Sequence, residues 1–138
     1  MTETGPLIAV LDDEPQMCKA LSRLLKTHGY GVEMYGEPGK LIAACAAHLP
    51  DCLLLDLNMP QMNGFEVLEH LAAQQMHLPV IVFTGRDKPG YAERARALGA
   101  RNYLLKPLAE SQLLAAIGGA IQRRESTDAG FLNCDEPD

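Results

Sequence analysis

Short apolar runs alternate along the chain with longer stretches in which apolar residues recur every three or four positions. The runs predict strands at residues 7–11, 31–35, 52–55, 80–83 and 102–105. The stretches between them predict helices. The first is opened by Pro15 and closed near Gly29, with Met17, Cys18, Leu21, Leu24, Leu25 and His28 on one face. Pro38-Gly39 opens the second, which carries Leu41, Ile42, Cys45 and Leu49. The third spans residues 64–75 around Phe65, Leu68 and Leu71, and the fourth spans 89–98 and is ended by Gly99. The last spans 110–123, with Leu113, Leu114, Ile117 and Ile121 inward. Five successive β-α units require parallel strands, right-handed crossovers and helices on both faces of one sheet.

What ends the apolar runs is polar. Asp12 and Asp13 follow the first, Asp56 the third, Thr84 the fourth and Lys106 the fifth. In an open parallel sheet the carboxyl ends of the strands converge on one rim, so these residues are expected to meet. A carboxylate at the end of a buried strand is costly without a partner. An Asp-Asp pair alone fits helix capping equally well. With Asp56 and Lys106 added, three mutually repelling carboxylates suit a divalent cation, and magnesium takes a few carboxylates plus phosphate oxygen. Asp56 then fits either a ligand or a nucleophile that forms an acyl phosphate. Thr84 can donate its hydroxyl and Lys106 its charge to a phosphoryl group. Taken singly, Thr84 fits a β-branched strand end and Lys106 a snorkelling surface lysine. Asn58 can offer a backbone carbonyl to the cation, and its side chain can influence water access. Gly64 is expected to permit a backbone turn beside Asp56. Both isomers of the Lys106-Pro107 bond fit the sequence; a cis bond would aim Lys106 at the rim.

Composition narrows the classes. The 138 residues fit one domain, and 47% hydrophobic residues suffice for a core. A net charge of −6 argues against nucleic acid as a direct partner. The basic groups Arg94/Arg96/Arg101 and Arg123-Arg124 read as solvated helix surface. Cys18, Cys45, Cys52 and Cys134 lack metal-site spacing, and the first three sit in apolar patterns. Free thiols, no signal-like start and no apolar run near 20 residues predict a cytoplasmic protein without membrane contact. A domain over residues 5–124 is expected to end in a polar and acidic tail, 125–138, that is frayed or disordered, with Phe131 and Leu132 free to dock locally.

The order Asp12-Asp13, Leu53-Leu54-Leu55-Asp56-Leu57-Asn58-Met59-Pro60 with Gly64, Phe83-Thr84-Gly85 and Tyr103-Leu104-Leu105-Lys106-Pro107 resembles the receiver domain of bacterial two-component response regulators. The run 78–85 is similar to receivers of the nitrogen-fixation regulator type. The resemblance covers residues 7–123 and implies a flavodoxin-like (βα)5 three-layer sandwich with strand order 2-1-3-4-5. It further implies that Asp56 accepts a phosphoryl group from a sensor histidine kinase or phosphotransfer protein, and that Asp13, Asp56 and the Asn58 carbonyl bind Mg2+, for which Mn2+ can substitute. Asp12 would support the metal through water, Thr84 and Lys106 would contact the phosphoryl group, and Tyr103 would swing inward as Thr84 moves. The output surface would be the fourth helix, fifth strand and fifth helix. It would act on a downstream protein or an output domain outside this chain, with phosphorylation-dependent homodimerisation as a further expectation. Departures from the family pattern are Gly85, where alanine is common, Arg86 two positions after Thr84, and Gly118-Gly119 inside the last helix. Those two glycines read as a tolerated defect, with close approach by a partner as the alternative. A haloacid-dehalogenase-type phosphatase shares the Asp, Thr and Lys set, but it expects a second Asp where Asn58 stands and a late acidic pair. A receiver-like binding module that works without phosphorylation is the other alternative.

Overall fold

A computed structural model describes residues 5–59 and 62–129. Its order is β1 (Leu7–Leu11), α1 (Pro15–Thr27), β2 (Gly31–Tyr35), α2 (Pro38–Ala47), β3 (Cys52–Asp56), α3 (Gly64–Ala73), β4 (Val80–Thr84), α4 (Tyr91–Ala97), β5 (Asn102–Leu105) and α5 (Glu110–Ala129). The five strands form one sheet in the order β2-β1-β3-β4-β5, and all neighbouring pairs are parallel. This is the expected flavodoxin-like order.

The sheet separates two cores. Leu41 and Cys45 of α2, Phe65 and Leu68 of α3 and Ala95 of α4 pack on one face with Leu53 and Leu55 of β3. Leu21 and Leu25 of α1 and Leu113 and Ile117 of α5 pack on the other with Leu54 and Ile81. Every residue of β3 and β4 is buried, which is why both strands read as unbroken apolar runs. Each fully buried Leu or Ile contributes about 1.5–3 kcal/mol relative to exposure. These central strands are therefore the firmest part of the scaffold, and their last residues inherit that rigidity. Cys45 and Cys52 are buried in the core, as their patterns predicted, whereas Cys18, expected there too, is half-buried near the start of α1 with its thiol on the Asp12 carbonyl at 3.3 Å; Cys134 lies outside the described residues.

Several boundaries shift for local reasons. β3 and β4 run one residue further, so that Asp56 and Thr84 are strand residues. α3 stops at Ala73, because Gln75 adopts φ 57°. α2 stops at Ala47, and Leu49 beyond it still packs on the core. α4 starts at Tyr91, since Gly90 before it sits at φ +88°, a left-handed conformation that cannot continue a helix. α5 continues to Ala129, past the expected end at 123 and the boundary at 124/125. Propagating a formed helix through polar residues costs little, whereas starting one is expensive. Phe131 and Leu132 lie outside the described residues, as do the side chains of Arg123 and Arg124.

Candidate functional site

The carboxyl ends of β1, β3, β4 and β5 meet as expected. Asp12 is 1% exposed and Asp56 3%, whereas Asp13, one residue on, is exposed. One carboxylate oxygen from each of the three lies within 4.8 Å of the others. Lys106 follows β5 directly; its amide donates to the Thr84 carbonyl at 2.9 Å, which seats it against the end of β4. Its ammonium stands 3.5 Å from Asp12 Oδ2, 3.7 Å from Asp56 Oδ1 and 3.7 Å from Glu14 Oε1. The Lys106-Pro107 bond is cis. Asp13, Glu14, Asp56, Asn58, Arg86 and Lys106 line an open cavity of about 810 Å³.

Electrostatics follow from this crowding. Burial, reinforced by the charge of Asp12, pushes the Asp56 carboxyl up to about 6, against the pull of Lys106. Burial also raises Asp12, opposed by the Glu14 amide that donates to Oδ1 at 2.9 Å and by Lys106. Two buried acids that resist ionisation beside an exposed third, all oxygen donors, fit a hard divalent cation. Asp12, Asp13 and Asp56 are the residues able to hold it.

Thr84 is fully buried. Its hydroxyl oxygen accepts from Asn58 Nδ2 at 2.6 Å and from the Arg86 amide at 3.0 Å. Asn58 also turns its own amide toward Asp56 Oδ1 at 3.4 Å. Gly64 is needed for a different reason from the one expected. It stands in the first turn of α3 without a left-handed φ, and a Cβ there would lie 2.9 Å from Leu57 Cα and 3.1 Å from the Asp56 carbonyl oxygen. Close approach of α3 to the end of β3, and not a special turn, excludes a side chain. The α3 terminus is fixed by a capping box in which Asn63 accepts from the Glu66 amide and Glu66 accepts from the Asn63 amide, both at 3.0 Å.

Tyr103 is half-buried, and its hydroxyl donates to Asp87 Oδ1 at 2.8 Å in the loop between β4 and α4. Of the basic group expected to be solvated helix surface, Arg94 and Arg96 are exposed on α4, Arg94 with its guanidinium 4.0 Å from the Phe65 ring centroid, whereas Arg101 lies in the turn before β5. Sequence reasoning passed over Glu14, although a third consecutive acid after Asp12-Asp13 was visible. It also passed over Asp87, and it gave the Asn58 side chain an influence on water access but not the bond to Thr84; both partners are set by tertiary placement alone.

Comparison with known proteins gives these geometries a context. The response regulator receiver domain family matches residues 8–118. Response regulator MprA of Mycobacterium leprae is 36% identical over 124 residues, covering 88% of this chain and 54% of that protein. Transcriptional regulatory protein FixJ of Bradyrhizobium diazoefficiens is 34% identical over 125 residues, covering 91% and 60%. The two identities are too close to single out one subtype. The chain thus spans little more than half the length of these relatives. Among solved structures, a CheY-like receiver from Methanospirillum hungatei superimposes with a TM-score of 0.83 at 25% identity, covering 88% of this chain and 97% of that one. A receiver domain protein from Clostridium thermocellum gives 0.80 at 29%, covering 88% and 98%. The chain belongs to the response regulator receiver domain family of two-component signalling.

Proposed function

We propose that Asp56 is the phosphoacceptor of this receiver and that Asp12, Asp13, Asp56 and the Asn58 carbonyl hold Mg2+. The observation that carries this reading is the placement of a buried carboxylate, Asp56, on a rigid strand end facing an open polar cavity, with Lys106 at 3.7 Å. An ionised Asp56 oxygen attacks phosphorus in line; the P–N bond of a donor phosphohistidine breaks as the P–O bond forms, and the leaving imidazole takes up a proton. Bound Mg2+ supplies positive charge against the carboxylates and the phosphoryl oxygens. Lys106 adds a second positive group that exchanges acid partners for a phosphoryl oxygen, and Thr84 donates its hydroxyl to another.

Thr84 and Tyr103 flank the output side. Tyr103 leaves Asp87 and turns inward as Thr84 moves, re-shaping the surface of α4, β5 and α5. A sensor histidine kinase or phosphotransfer protein is the donor, and the target is a downstream protein or an output region of a longer polypeptide, such as the relatives possess length for. Phosphorylation-dependent pairing of two copies through the same surface belongs to this reading. The proposed partners are cytoplasmic; among the described residues no helix is long and apolar enough to cross a membrane. The self-phosphorylation and autodephosphorylation of a signalling protein is the only chemistry proposed. The family match leaves the phosphatase alternative without support.

Incubation with acetyl phosphate and Mg2+, followed by intact mass, tests the reading. One phosphoryl group is expected on the wild type and none on Asp56→Asn. A fully labelled Asp56→Asn refutes the assignment, and an unlabelled but folded wild type favours a phosphorylation-independent binding module.

A further inference from the structure

The Thr84 hydroxyl has two acceptor lone pairs and one donor proton. Both acceptor positions are filled: Asn58 Nδ2 donates at 2.6 Å and the Arg86 amide at 3.0 Å. The only capacity left is the O–H itself. A buried hydroxyl in this state is an obligate donor, whereas one that accepted once and donated to a neighbouring carbonyl would have its proton tied up. Thr84 is fully buried at the end of β4, yet Asn58 is exposed on the loop after β3. The contact therefore joins the loop after β3 to the end of β4, 26 positions away in sequence.

From this we infer that the Asn58 side chain is a positioning residue, which fixes the Thr84 rotamer and leaves the hydroxyl proton free for an incoming tetrahedral oxyanion. The role is separate from the Asn58 carbonyl, which any residue at the position would supply. It rests on the reading of Thr84 as a phosphoryl contact, and it adds the group that prepares Thr84 for that contact. The Arg86 amide cannot do the work alone, because it fills one acceptor position and leaves the second lone pair open and the O–H free to turn about the Cβ–Oγ1 bond. Asn58 supplies the second anchor, from the loop after β3.

Two measurements test it, with Asn58→Leu as the main variant because it keeps the bulk and removes the donor, and Asn58→Ala as the second. In the apo protein, three-bond carbon couplings to the Thr84 methyl report its χ1. A single rotamer is expected in the wild type and an averaged one in both variants. In the presence of Mg2+, affinity for beryllofluoride, a phosphoryl analogue, should fall about 3- to 10-fold in either variant, the size of one ordinary hydrogen bond. In a Thr84→Ala background the same substitutions should cost nothing further, since Asn58 acts through Thr84. An unchanged rotamer, equal losses in both backgrounds, or tighter binding in Asn58→Leu each overturns the inference. A wild type that binds no beryllofluoride overturns the phosphoacceptor reading instead, and the apo rotamer measurement still decides the role of Asn58.

Discussion

At the scale of single residues, the site is defined by acids held where they are reluctant to ionise. Asp56 keeps its proton up to about 6 in the folded protein, against an ordinary value of 3.8. Folding therefore takes up a proton between those values. The contribution of this group to stability is intact at low pH and is lost as pH rises toward and past 6. Without divalent cations, Asp56→Asn should stabilise the protein by about 1–3 kcal/mol at pH 7.5 and by little at pH 4, read from denaturant midpoints. Millimolar Mg2+ should narrow the gap by stabilising the wild type selectively. Equal midpoints at pH 7.5 would mean that Asp56 is not under strain from its neighbours. Lys106→Ala removes the only cation within 4.0 Å of Asp12 and Asp56 among the described residues. It should retain metal binding but lose the coupling between phosphorylation and partner affinity.

At the scale of elements, β3 and β4 were legible because both faces are covered and the apolar runs carry no alternation. The rim chemistry was legible because each run ends in a polar residue. Helix ends were less so. Gly90 and Gln75 act through left-handed φ values that depend on local turn geometry, and α5 passes through Glu125 without any apolar signal. Three substitutions test the helices. A Cβ at Gly118 or Gly119 would meet nothing within 4 Å. Each Gly→Ala change should therefore stabilise by up to about 1 kcal/mol, seen as a raised Tm; a loss instead would show that α5 needs those glycines for a contact. Gly64→Ala is the opposite case. Its Cβ collides with backbone at Leu57 and Asp56, so it should destabilise by about 1–3 kcal/mol and slow phosphoryl uptake by displacing the end of β3.

At the scale of the whole molecule, one rigid sheet brings together residues from four separate strand ends, and this is the part that strand order alone predicts. What strand order does not predict is how side chains pair across the rim. The Asn58–Thr84 and Tyr103–Asp87 bonds each join a loop residue to a strand residue, and the relative placement of the two arises only after the sheet has formed. Asp56 is the proposed phosphoacceptor within that assembly. Borohydride reduction of the acetyl phosphate-treated protein converts an aspartyl phosphate to homoserine, and tandem mass spectrometry then places the altered residue. Homoserine is expected at position 56 alone, formed only when Mg2+ is present. Homoserine at position 12 or 13, or at 56 with equal yield in the absence of divalent cations, would contradict that assignment.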